Sequence, residues 1–140
     1  MDKNKDPEIK IDQISLVDCC LKDLNLTNEL HYNLGIESFE RKLLSDEQLI
    51  ASATFDLMHQ VKDPPYSLIC TFIAVYTRPE GANMAWDEFK DEIIVAHILP
   101  YLREFVSSVS LRLPLPPLVL PPTNAFALVN NYRANQPQEA

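Results

Sequence analysis

The side chains in this 140-residue chain able to do covalent, metal or acid–base chemistry are three cysteines, three histidines and a surplus of carboxylates. Cys19 and Cys20 are adjacent and Cys70 stands apart. That odd count reads as free thiols in a reducing cytosol rather than as a disulfide framework. A thiol nucleophile needs a neighbouring cation or helix N-terminus to lower its pKa, and nothing close in sequence supplies one. His31, His59 and His97 have no metal-ligand spacing and none accompanies a cysteine pair, so each reads as a surface or structural histidine and no metal is expected. Asp91 and Glu92 are neighbours that a helix would point in different directions, which spoils them as an acid and base pair. Two glycines, Gly35 and Gly81, provide no phosphate-cradling loop. The expectation is a protein that is not an enzyme and holds no cofactor.

Composition narrows the partners. Twenty acidic against 12 basic side chains give a net charge of −8, a surface that repels nucleic-acid phosphates and anionic lipid. It suits a basic partner, or a protein that stays soluble while exposing apolar surface. The charged opening MDKNKDPEIK has no apolar run behind it, so no secretory signal is expected. No uninterrupted apolar stretch approaches the roughly 18 residues that span a bilayer. The expectation is a single cytosolic domain over 1–140, with flexible tails at 1–7 and 134–140.

From Glu47 to His59, Leu49, Ala51, Ala53, Phe55 and Leu57 alternate with polar residues, the period of a half-buried strand. The turn-former Val61-Lys62-Asp63-Pro64-Pro65 follows, then Tyr66–Thr77, rich in β-branched and aromatic residues, so the pair predicts an antiparallel hairpin. Leu68, Cys70, Phe72 and Ala74 line one face of the second strand, with Ile69, Ile73 and Val75 on the other. An antiparallel strand ordinarily leaves one face wet. Two apolar faces imply two coverings: the chain's own helix, and a partner subunit or bound peptide. Ile9–Leu21 fits a helix as well as a strand, a phase change between Ile11 and Ile14 being compatible with a bulge. Leu34, Ile36 and Phe39 mark a further strand within Glu29–Leu44.

After Asn83, a plausible N-cap, Trp86, Phe89, Ile93 and Ala96 recur at helical spacing, and Tyr101, Phe105 and Val109 continue the stripe. Pro100 should kink or restart this helix. Leu113–Pro122, LPLPPLVLPP, holds five prolines and five aliphatics and reads as a stiff extended crossover. Its P-x-x-P match, Pro114–Pro117, is a pattern that arises readily in any proline-rich segment. A short helix, about Asn124 to Tyr132, follows a cap at Thr123 or Asn124.

The segment Leu99–Tyr132 resembles the C-terminal part of the SecB family of export chaperones. The shared features are Pro100-Tyr101, Arg103-Glu104, Arg112, Pro116, the Leu118-x-Leu120-x-Pro122 step, Asn124, Ala127-Leu128 and Asn131-Tyr132, in register without a gap over 34 positions. The resemblance implies an α+β fold: a four-stranded antiparallel sheet, a long kinked helix, an extended Pro-rich crossover and a short C-terminal helix. It tips Ile9–Leu21 toward a strand. It further implies an ATP-independent holdase, a homo-oligomer assembled as a dimer of dimers, whose partners are unfolded client polypeptides and either the SecA motor or an antitoxin. Two departures stand out. Leu113 replaces a frequent glycine after Arg112. At positions where the family engages SecA with acids, Asp18 matches but Lys22 and Thr71 do not, which weakens attraction to a basic tail.

The expected client groove is walled by Leu115, Leu118, Leu120, Phe126 and Val129, with Phe72 and Tyr76 on the strand. Core and groove use the same side chains, so closing the monomer's own core remains the alternative for each. The expected oligomer interface runs along the long helix through Trp86, Phe89, Ile93, Tyr101, Phe105 and Val109. A structural or assembly protein with a permanently bound partner is the rival reading of the same surface.

Overall fold

A computed structural model describes residues 9–23, 32–64, 66–112, 119–121 and 123–136. Four strands form one antiparallel sheet: β1 (Lys10–Asp23), β2 (Gly35–Leu43), β3 (Gln48–Asp56) and β4 (Tyr66–Thr77), in the spatial order β1-β4-β3-β2. Two helices, α1 (Asp91–Ser110) and α2 (Ala125–Ala134), lie on one face, α1 packing on β4 and α2 on β2. Leu115, Leu118 and most of the proline-rich crossover lie outside the described residues, as does His31.

The alternation in β3 and β4 sets the core. Leu49, Ala51, Ala53 and Phe55, with Leu57 just past the strand, are fully buried, and so are Leu68, Cys70, Phe72, Ala74 and Tyr76. The opposite face of β4, with Ile69, Thr71, Ile73 and Val75, is half-buried. Burying each large aliphatic side chain contributes roughly 1.5–3 kcal/mol. Edge-to-face contacts of Phe72 with Phe55 and Phe105, ring centres 6.4 Å apart in both, lock the sheet to α1.

The ambiguous N-terminal segment is a strand, and its broken period has a physical cause. Register shifts fall between Ile11 and Gln13 and between Leu16 and Asp18, leaving Asp12 and Val17 without Cα partners on β4. Each extra residue resets the alternation. Ile11, Ile14, Leu16, Cys19 and Leu21 therefore stand opposite Tyr76, Ala74, Phe72, Cys70 and Leu68, all on the helix-bearing face.

The long helix departs from expectation at its start. It starts at Asp91 rather than near Asn83, because Trp86–Glu88 is a separate 3₁₀ turn and Phe89 is extended. The half-buried Arg41 guanidinium of β2 holds this turn: it donates to the Trp86 carbonyl at 2.8 Å, the Phe89 carbonyl at 2.6 Å and the Asp91 carboxylate at 2.9 Å. The core stripe is Ile94, Val95, Ile98, Leu99, Leu102 and Val106, one position round from the stripe the spacing predicts. The helix is continuous through Pro100, where the sequence expects a kink or a restart. Ala96 and Pro100 both face solvent, so the Ala96 carbonyl, deprived of its i+4 donor, is left on the wet side where the cost is smallest. By length and composition α1 passes as a membrane span; its core stripe is buried against β4 instead.

Arg41→Ala removes three charge-assisted bonds at once, and we expect a loss of about 2–3 kcal/mol in chemical denaturation. Fluorescence of Trp86, the chain's single tryptophan, reports the loosened turn directly. α2 is capped as its sequence foretells, the Asn124 carboxamide oxygen accepting from the Phe126 and Ala127 amides at 2.9 and 3.3 Å.

Candidate functional site

Polar chemistry is muted where the thiols and the half-buried His97 sit. Cys70 is buried opposite Cys19, and burial pushes its thiol up to about 12; burial also raises Cys19. Neither is poised as a thiolate at neutral pH. His97 on α1 is held by the Tyr76 hydroxyl at 3.0 Å, and burial lowers its pKa below the ordinary 6.5. The unfolded chain therefore takes up a proton as pH falls through 6.5 while the folded chain still resists it. Stability from this neutral imidazole is full above that value and is lost as the medium acidifies. Thermal midpoints taken across roughly pH 7.5 to 5 should fall more steeply for the wild type than for His97→Gln.

The apolar surface is distributed differently from the expected groove. Phe72, Tyr76, Leu120 and Val129 are buried inside the single chain; for these four the structure takes the core alternative. Phe126 is 61% exposed and borders a cleft of about 280 Å³ between the helices, with Leu99, Pro100, Arg103 and Thr123. Arg103 donates to the Leu120 carbonyl at 3.2 Å and so ties the end of the crossover to α1. Of the expected interface residues, Phe89 is buried, Trp86, Ile93, Phe105 and Val109 are half-buried, and Tyr101 is exposed. Ile93, His97, Tyr101, Phe105 and Val109 make a second α1 stripe at strict four-residue spacing, flanking the core stripe.

Sequence reasoning did not single out β1. Its apolar row points to the helix face of the sheet, yet α1 packs on β4 and leaves it bare. Ile11 is 43%, Leu16 39% and Leu21 36% exposed. The row runs into a cleft of about 580 Å³ formed by Ile9, Ile11, Met84, Phe89, Ile93 and His97. The available signal was the phase change in Ile9–Leu21: once read as bulges, it puts one apolar residue after another on one face. Asp18 lies opposite Thr71 on the other, outer face, with Lys22 opposite Ser67. There the Thr71 and Thr54 hydroxyls pair with each other at 2.8 Å. Asp18 and Lys22 thus carry opposite charges on that face, and Thr71 is neutral.

A four-stranded antiparallel sheet in the order β1-β4-β3-β2, with a long helix and a short C-terminal helix on one face, is the fold of the SecB-like chaperones. One such structure is a SecB-like chaperone of Mycobacterium tuberculosis, Rv1957, in complex with a ChAD peptide from the Rv1956 HigA1 antitoxin. It has a TM-score of 0.67 and 18% sequence identity, and the match covers 83% of this chain and 91% of that one. No family description and no curated protein matches the sequence.

Proposed function

We propose that this protein is a chaperone that holds an unfolded polypeptide against the apolar margin made by β1 and the neighbouring side of α1. The observation that carries the reading is the bare row Ile11, Leu16 and Leu21 running into a cleft with an apolar wall. A holdase needs apolar surface that is reachable yet bordered by polar groups; Lys10 and His97 stand in the lining of this cleft. The fold shared with a chaperone caught on an antitoxin peptide supports the same reading. The holding is ATP-independent, since the chain supplies no glycine-rich phosphate loop.

Within that reading a dedicated client, such as an antitoxin, is favoured over general export. Lys22 and Thr71 stand on the outer face where a basic SecA tail would want acids. The working form is a cytosolic homo-oligomer, a dimer of dimers, associating through the second stripe of α1 around its exposed residue Tyr101.

Equimolar protein should suppress aggregation of an unrelated, thermally unfolding substrate without nucleotide. Absence of suppression would move the reading to an assembly protein whose margin is permanently covered by a partner. A SecA C-terminal tail peptide should bind weakly; tight binding would return export to first place. Light scattering that found a stable monomer at micromolar concentration would end the oligomer reading.

A further inference from the structure

We propose that Glu37, Asp56 and His59 form a binding site for one divalent transition-metal ion, of which Zn²⁺ is the fitting representative. The three come from separate points of the chain and the fold brings them together. One ligand atom from each lies within 4.8 Å of the others, and His59 Nδ1 stands 3.8 Å from Glu37 Oε2. Ligands about 2.0–2.2 Å from a common tetrahedral ion sit roughly 3.3–3.6 Å apart, so small side-chain rotations close the set.

The strand geometry explains the convergence. Gly35 pairs with Asp56 across β2 and β3, which puts both on the same face of the sheet. Glu37 is the extra residue of a register shift between Ile36 and Ser38, and its carboxylate lies beside Asp56 and His59. The chain then turns after β3 and lays the His59 ring directly over Gly35. A Cβ at position 35 would come within 2.3 Å of that ring, so the absence of a side chain there is what lets the imidazole lie down beside Asp56.

The set is also held by its surroundings. The His59 backbone is clamped from both sides by Asn33, whose carboxamide donates to the His59 carbonyl at 2.7 Å and whose carbonyl accepts from the His59 amide at 2.9 Å. The Met58 amide donates to Asp56 Oδ1 at 2.9 Å and orients that carboxylate. Such outer contacts fix ligand orientation in metal sites. An imidazole with two carboxylates selects a borderline ion over Mg²⁺ or Ca²⁺, which take oxygen ligands. Two carboxylate charges match the ion's own.

The test is a Zn²⁺ titration of the full chain, stripped of metal beforehand, against a chromophoric competitor. One ion should bind per chain. His59→Ala and the surface-conservative Glu37→Gln should each weaken binding at least about tenfold, and Gly35→Ala, which keeps all three ligands but displaces the ring, about tenfold. Circular dichroism of Glu37→Gln guards against a folding defect. A Cys19→Ser/Cys20→Ser chain should bind as the wild type does. Zn²⁺ should raise the thermal midpoint of the wild type and not of His59→Ala. The proposal is overturned by no saturable binding up to a Kd of about 1 mM, by binding indifferent to His59 and Glu37, by dependence on the thiols, or by equal affinity for Mg²⁺.

Discussion

Replacing Phe72 with alanine should cost the fold about 3–5 kcal/mol, the range for emptying a well-packed aromatic site. Phe72 is 3% exposed and touches the rings of Phe55 and Phe105 edge-on. It is the point where β4 meets both its neighbour strand and α1. The surrounding residues are β-sheet side chains and a helix pinned by Arg41, so little of the cavity can collapse. Urea denaturation measures the loss. A change below about 1 kcal/mol would mean that Phe72 works at an open surface, as the groove reading expects, and that its burial is relieved in solution.

A second large effect is functional. Leu16→Asp with Leu21→Asp places two charges in the bare β1 row while leaving the core untouched. Exposed side chains ordinarily change stability by no more than about 0.5 kcal/mol. A client's apolar segment would instead have to desolvate two carboxylates, at several kcal/mol if left unpaired. Suppression of aggregation should drop by at least about tenfold, with the thermal midpoint almost unmoved. An unaltered suppression curve would exclude β1 as the holding surface and shift attention to the cleft beside Phe126.

How far the sequence reached depends on which forces were local. Tyr66–Thr77 is a strand over those same residues, because its β-branched run is bracketed by proline on both sides and its faces alternate without interruption. β1 stayed ambiguous in the sequence because two extra residues, Asp12 and Val17, break a period that only pairing with β4 can restore. The start of α1 was misplaced because the competing acceptors and donors are distant: Arg41, far upstream, takes the carbonyls of Trp86 and Phe89. The helix is apolar on two adjacent sides, and hydrophobicity alone cannot say which meets the sheet. Phe72, Tyr76, Leu120 and Val129 carry the right chemistry for a groove and sit in the core, while the bare surface is on β1. Glu37, Asp56 and His59 have no telling spacing at all; a strand pairing and a glycine bring them together.

The ties of α2 are unevenly distributed along it. Its last turn is bound by the Phe39 amide donating to the Tyr132 hydroxyl at 3.2 Å and by Arg133 reaching Asp91 and Glu92 at 3.1 and 3.2 Å. Its first turn is held by its own Asn124 cap, and just before it Arg103 donates to the Leu120 carbonyl. Ala125, Leu128 and Val129 are buried, so that end is fastened by apolar packing instead. The two ends of one helix therefore answer to different solvents: salt screens the ion pairs at Arg133, while agents that solvate apolar surface act on the packing at Ala125.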